Sequence, residues 1–166
     1  MRKLSICCAM LPLLAACGGE LDPEERALRD DRLVAMVERA NDAAPPLHEV
    51  TPEPLLYPDI ERHDLYGPSC AYAPGTNLGT RVIAREADAF MKIDGVVMRF
   101  AADPGSRALP LETRTLYNGR QFSLRLRIEG EGAESPGGKA NYEGTVELRD
   151  PHGRIVYEGT GLAQCG

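Results

Sequence analysis

Residues 113–129 read Thr-Arg-Thr-Leu-Tyr-Asn-Gly-Arg-Gln-Phe-Ser-Leu-Arg-Leu-Arg-Ile-Glu, and this stretch decides the fold. Asn118-Gly119 is the dipeptide of a two-residue hairpin turn, so Thr113–Tyr117 is expected to pair with a return strand from Arg120 to Glu129. Along the return strand Phe122, Leu124, Leu126 and Ile128 alternate with Gln121, Ser123, Arg125 and Arg127. That period of two marks a half-buried antiparallel strand, apolar on one face and wet on the other.

The same pattern extends outward. Phe90–Ile93, the turn Asp94-Gly95, and Val96–Ala101 form another expected hairpin. Asn141–Arg149, the turn Asp150-Pro151-His152-Gly153, and Arg154–Thr160 form a third, with Val146 and Leu148 inward and Ile155 and Tyr157 as their partners. Ser69–Ala73 and Arg81–Arg85 supply shorter strands. Seven or eight such strands within about a hundred residues imply a mainly β fold, a small antiparallel β-barrel or sandwich. Gly130–Ala140 reads as the longest mobile loop, and Asp103-Pro104-Gly105-Ser106 as a second turn-rich one.

Upstream of this β domain, expected over residues 59–166, the texture differs. Asp22-Pro23-Glu24-Glu25 is a helix start: Asp22 caps, Pro23 suits the first helical position, and Glu25 completes a capping box. The helix should run to about Ala43, before Pro45-Pro46. Its apolar residues form no single stripe, which suits a spacer better than a partner-binding helix. Residues 44–58 hold Pro45, Pro46, Pro52, Pro54 and Pro58. They are expected to make a semi-rigid arm holding the β domain away from what precedes it, with His48 solvated.

At the start of the chain Arg2 and Lys3 precede an apolar run, Leu4–Leu14, followed by Ala15, Ala16 and Cys17. The run is too short to span a bilayer and fits a signal peptide. Leu14-Ala15-Ala16-Cys17 resembles the lipobox of bacterial lipoproteins. The resemblance implies that residues 1–16 are removed, that Cys17 carries the acyl chains, and that residues 17–43 are tether and spacer helix. Several acyl chains hold a protein firmly where one does not. Gly18 in place of Asp implies the outer membrane, facing the periplasm.

Of the five Cys, Cys7 and Cys8 leave with the leader and Cys17 is lipidated. Cys70 and Cys165 remain and read as a disulfide in an oxidising compartment. Such a bridge would close a loop of about a hundred residues, worth roughly 4 to 5 kcal/mol. The rival, a reactive thiol with His63 or His152 as base, has no motif behind it.

The chain has 25 acidic against 19 basic residues, a net charge of −6. That argues against nucleic-acid binding. Trp is absent and Phe numbers three, so aromatic sugar platforms are not expected. No nucleophile elbow, zinc-protease helix, phosphate loop or dinucleotide fingerprint occurs. A catalytic residue, a metal site or a cofactor is therefore not expected. Arg125 and Arg127 share an exposed face, either paired with Glu147 or Glu143 or free as a cationic patch. Tyr117 and Tyr142 border turns, either lining a contact surface or covering the barrel ends.

The run Cys70–Cys165, with Met91-Lys92-Ile93-Asp94-Gly95 and Tyr157-Glu158-Gly159-Thr160-Gly161, is similar to the β domain of small uncharacterised proteobacterial lipoproteins, a likeness that carries no activity. Ser135-Pro136-Gly137-Gly138-Lys139-Ala140-Asn141-Tyr142 is similar to the loop of periplasmic lipoprotein inhibitors of C-type lysozyme, departing from it at Pro136 and Asn141. That likeness implies Lys139 as the base meeting the hydrolase carboxylates. The expected function is a lipid-anchored, non-enzymatic binding or structural module. The alternatives are a lysozyme-type inhibitor or a carrier with a hollow barrel, and the partner is a membrane plus a periplasmic protein or small ligand.

Overall fold

The computed structural model describes residues 22–166 except 77 and 78; the leader and Cys17 lie outside the described residues. The chain divides into two units, one up to Ala44 and one from Pro45 to Gly166. The first holds α1 (Pro23–Asp42), capped by the Asp22 carboxylate, which accepts from the Glu24 N–H at 3.2 Å. No α1 residue is buried. Among the described residues no helix is long and apolar enough to cross a membrane.

The second unit is a closed antiparallel barrel in strand order β1 to β8. Its strands are β1 (Cys70–Pro74), β2 (Val82–Ala84), β3 (Asp88–Ile93), β4 (Val96–Ala102), β5 (Leu116–Asn118), β6 (Ser123–Ser135), β7 (Lys139–Arg149) and β8 (Ile155–Cys165). A short helix, α2 (Tyr57–Arg62), precedes them, and a 3-10 turn at Pro110–Glu112 lies between β4 and β5. Strands β1 and β8 close the barrel, with Cys70 opposite Cys165. The reciprocal bonds between Ser69 and Gly166 make Cys70 and Cys165 the adjacent non-hydrogen-bonded pair. Cross-strand side chains lie closest there, and the two sulfurs are bonded.

The interior is filled by side chains. Tyr72, Val82, Met91, Phe100, Tyr117 and Leu126 are each less than 2 % exposed. They interdigitate with Leu124, Val146 and Leu148, the apolar residues of the alternating strands. A second small cluster sits outside the wall, where Leu55 and Leu65 cover Ile83 and Phe90.

The Asp94-Gly95 turn is as expected: both residues have positive φ, 49° and 74°, and Ile93 faces Val96. Four other readings are corrected. Asn118 pairs with Ser123 rather than opening a two-residue turn, so residues 119–122 form the reversal, closed by Gly119 N–H donating to Phe122 O at 2.9 Å. Gly119 is required for closeness and not for the turn: a Cβ there would lie 2.9 Å from Phe100 Cδ1. The expected mobile loop 130–140 is instead a continuation of the β6–β7 hairpin, reversing only at Pro136–Gly138, where Gly137 and Gly138 take φ of 85° and 73°. Its other glycines serve a bulge between Glu129 and Ala133, at which the Tyr142 ring folds over Gly132.

In the third hairpin a bulge after Leu148 pairs Arg149 with Ile155 and Leu148 with Tyr157. Ile155 therefore turns outward, 39 % exposed, and Val156 is buried in its place. The fourth correction concerns the Pro-rich arm, which is extended but not free. Val50 N–H donates to Val156 O at 2.9 Å, Glu53 N–H to Lys92 O at 2.8 Å and Leu55 N–H to Thr80 O at 2.8 Å. It runs as a strap from β8 to β3 and on to the chain before β2.

Candidate functional site

Three hairpin tips, at Asp94-Gly95, Gly119–Phe122 and Asp150–Arg154, lie at the barrel end crossed by the strap. Between them and Pro45–Thr51 opens a cleft of about 770 Å³. Its floor is apolar: Val50, Ile93, Met98, Phe122 and Val156. Its rim carries His48, Glu49, Asp94, Arg120 and His152. A smaller hollow of about 370 Å³ adjoins it, lying between Val96–Phe100 of β4 and the loop Gly119–Phe122. Met98, Arg120, Gln121 and Phe122 line both. Barrel mouths with an apolar floor and a few polar rim groups are common sites of recognition.

The rim is held by Asp150. Its carboxylate accepts from the backbone N–H of His152 and Arg154, each at 2.9 Å, and from Arg154 Nε at 2.7 Å. Burial pushes this carboxyl up, but the Arg154 contacts outweigh it and hold it below the usual range. Arg154 also donates from Nη1 to Pro45 O at 2.7 Å, which ties the start of the strap to the β7–β8 turn. Among the described residues the Arg120 guanidinium makes no hydrogen bond or ion pair, in contrast to Arg85, Arg99, Arg127, Arg149 and Arg154, all paired with carboxylates.

The residues singled out from sequence fall in three separate places. Tyr117 is corrected outright. It is fully buried, its hydroxyl donating to Arg85 O at 2.9 Å and accepting from Arg114 N–H at 2.7 Å, so it is a core strut and not a contact surface. Lys139 is exposed beside the β6–β7 reversal, and Tyr142 is half-buried against the same hairpin. Arg125 and Arg127 are on the outer wall. Arg127 pairs with Glu147, as does Arg149 at 2.7 Å. Glu147 is 4 % exposed. Burial raises its carboxyl, but the surrounding guanidiniums win and depress it. The paired-face reading of Arg127 therefore holds, and Arg125 stays exposed beside it.

His63 is an exposed residue closing α2 and does not line the mouth cleft that His48 and His152 share. His48 is exposed yet lines this cleft, so it is not a residue of a free linker. Among the described residues no three His, Cys, Asp or Glu are arranged to hold a metal. The loop Gly119–Phe122 was missed as a site because its Asn-Gly signal reads as a tight turn. The one available clue was Gln121-Phe122, a polar–aromatic pair too close to the turn to be settled in a strand. Set against known protein families, curated proteins and solved structures, the chain matches none of them.

Proposed function

We propose that this chain is a lipid-anchored recognition module of the bacterial envelope, held through Cys17 in the outer membrane and facing the periplasm. It acts by binding a protein and not by chemistry or by carrying a ligand inside the barrel. The observation that carries this reading is the packed interior. Tyr72, Met91, Phe100 and Tyr117 are fully buried together in the core, where a carrier needs a lumen, which favours binding at the mouth and the outer wall. The lipobox residues Leu14–Cys17 support the anchor, and the paired cysteines fit an oxidising compartment.

The test is fractionation of cells producing the Cys17→Ser chain, with mass spectrometry of the mature product. The unsubstituted protein is expected in the membrane fraction with acyl chains on residue 17, and the variant in the soluble fraction or unprocessed. A Cys17→Ser chain that is processed and still sediments with membranes refutes the anchor.

A further inference from the structure

We propose that the edge of β4 from Val96 to Phe100 is a docking site for an extended segment of a partner polypeptide, which adds to the barrel as a short strand. The argument begins at the Asp94-Gly95 turn. In a two-residue hairpin the flanking residues, here Ile93 and Val96, form a hydrogen-bonded pair. Val96, Met98 and Phe100 thus spend their backbone groups on β3. Val97 and Arg99 point theirs the opposite way, toward where β5 would lie.

But β5 is not there. It pairs with β4 at Ala101–Asn118 and Ala102–Tyr117, after which the chain turns at Gly119 and is back at β6 by Ser123. The barrel is closed, yet along this seam β4 runs on past the end of its neighbour. Among the described residues no backbone hydrogen bond reaches Val97 or Arg99 from the open side. The hollow of about 370 Å³ runs along this stretch. An unpaired edge with space beside it is a template for strand addition, main-chain bonds giving affinity and side-chain pockets giving specificity.

The chemistry of the guest follows from alternation. Side chains facing inward would meet Met98 and Phe122, both packed against the core. Those facing outward would meet Arg99, whose side chain is 67 % exposed beyond its bond to Asp88, and the unpaired Arg120. The fitting occupant is a segment alternating apolar and acidic residues, about five residues long to match Val96–Phe100, or roughly 17 Å. A second copy of this chain fits worse, since antiparallel edge-to-edge pairing over Val96–Phe100 sets Arg99 opposite Val97 and brings no acidic residue to Arg99 or Arg120. This inference rests on the recognition reading above but not on the anchor, so the two fail separately.

The test is amide exchange by NMR on the whole chain, alone and with a capped peptide alternating Val and Glu over seven residues. A Val–Lys peptide of the same length is the control. In the free protein Val97 and Arg99 are expected to exchange fast while Met98 and Phe100 are protected. At about 1 mM Val–Glu peptide, and with a dissociation constant of about 0.1 mM, Val97 and Arg99 should gain about tenfold protection. The Val–Lys peptide should give none, and Arg120→Ala should weaken binding about threefold without altering the free pattern. Equal protection of all four amides in the free chain, or no gain with Val–Glu peptide, overturns the site. Equal gain with Val–Lys peptide overturns the acidic assignment. Protection that grows with protein concentration alone overturns the partner assignment in favour of a second copy.

Discussion

Removing the bridge between Cys70 and Cys165 tests how this barrel is stabilised. The two cysteines are 95 residues apart in sequence. In the chain-entropy model, a cross-link closing a loop of that length costs the unfolded chain about 4.7 kcal/mol at 25 °C. A unit the size of Pro45–Gly166 is expected to be stable by about 6 to 18 kcal/mol, so the bridge is a large fraction of the whole. The Cys70→Ala/Cys165→Ala double variant still has the Ser69–Gly166 backbone bonds and the ladder from Ala71–Gln164 to Pro74–Gly161. It should therefore fold to the same barrel. Urea unfolding followed by circular dichroism reads the effect: with a slope near 2 kcal/mol/M, the midpoint should fall by roughly 2 M, and the slope should be no smaller than that of the bridged chain, because the freer unfolded state exposes at least as much surface. A fall of less than about 0.5 M refutes the entropic account, since the unbridged unfolded chain would then be no freer than the bridged one. A smaller slope refutes it differently, by showing that the barrel opens along β1 and β8 when the sulfurs go.

Two further outcomes follow from the packing and the charges. Gly161→Ala would drive a Cβ into the Ala73 carbonyl and to 2.6 Å from Gly75 N; because backbone cannot yield cheaply, a loss of about 1 to 3 kcal/mol is expected. That should lower the thermal midpoint by several degrees, whereas an unchanged midpoint means β1 and β8 are not so close. Asp88, Glu147 and Asp150 are all held below their usual range: burial works against each, but paired guanidiniums outweigh it. For depressed carboxyls the stabilisation is present above the unfolded values, about 4, and is lost as pH falls through and below them. Unfolding midpoints measured between about pH 6 and pH 3 should therefore decline, and Glu147→Gln should flatten the decline; a flat profile in the unsubstituted chain contradicts the paired-carboxylate account.

Strand existence was legible because alternation is a local signal: Leu124, Leu126 and Ile128 face the core as their spacing requires. The Asp94-Gly95 turn was legible too, since two left-handed residues leave few alternatives. What was hidden depends on neighbours distant in sequence. Gly119 answers to the Phe100 ring, which no pattern near residue 119 reveals. Bulges shift the register without leaving a clear mark, so Ile155 and Val156 exchange roles. The strap was misread because prolines report stiffness but not attachment; Leu55 shows its destination only when Ile83 and Phe90 are seen to face outward on adjacent strands. Tyr117 was misplaced for a similar reason, its hydroxyl being satisfied by backbone groups of Arg85 and Arg114.

The small cluster on the outside of the wall sets where the chain can be shortened. A protein started at Asp59, where the composition changes, would lose Leu55 from over Ile83 and Phe90 and Val50 from its place against the main core. Those bared hydrocarbon surfaces would make the product prone to precipitate while every strand of the barrel was still present. Starting at Pro45 keeps both covers in place, so solubility on expression, more than any strand boundary, marks the true beginning of this folding unit.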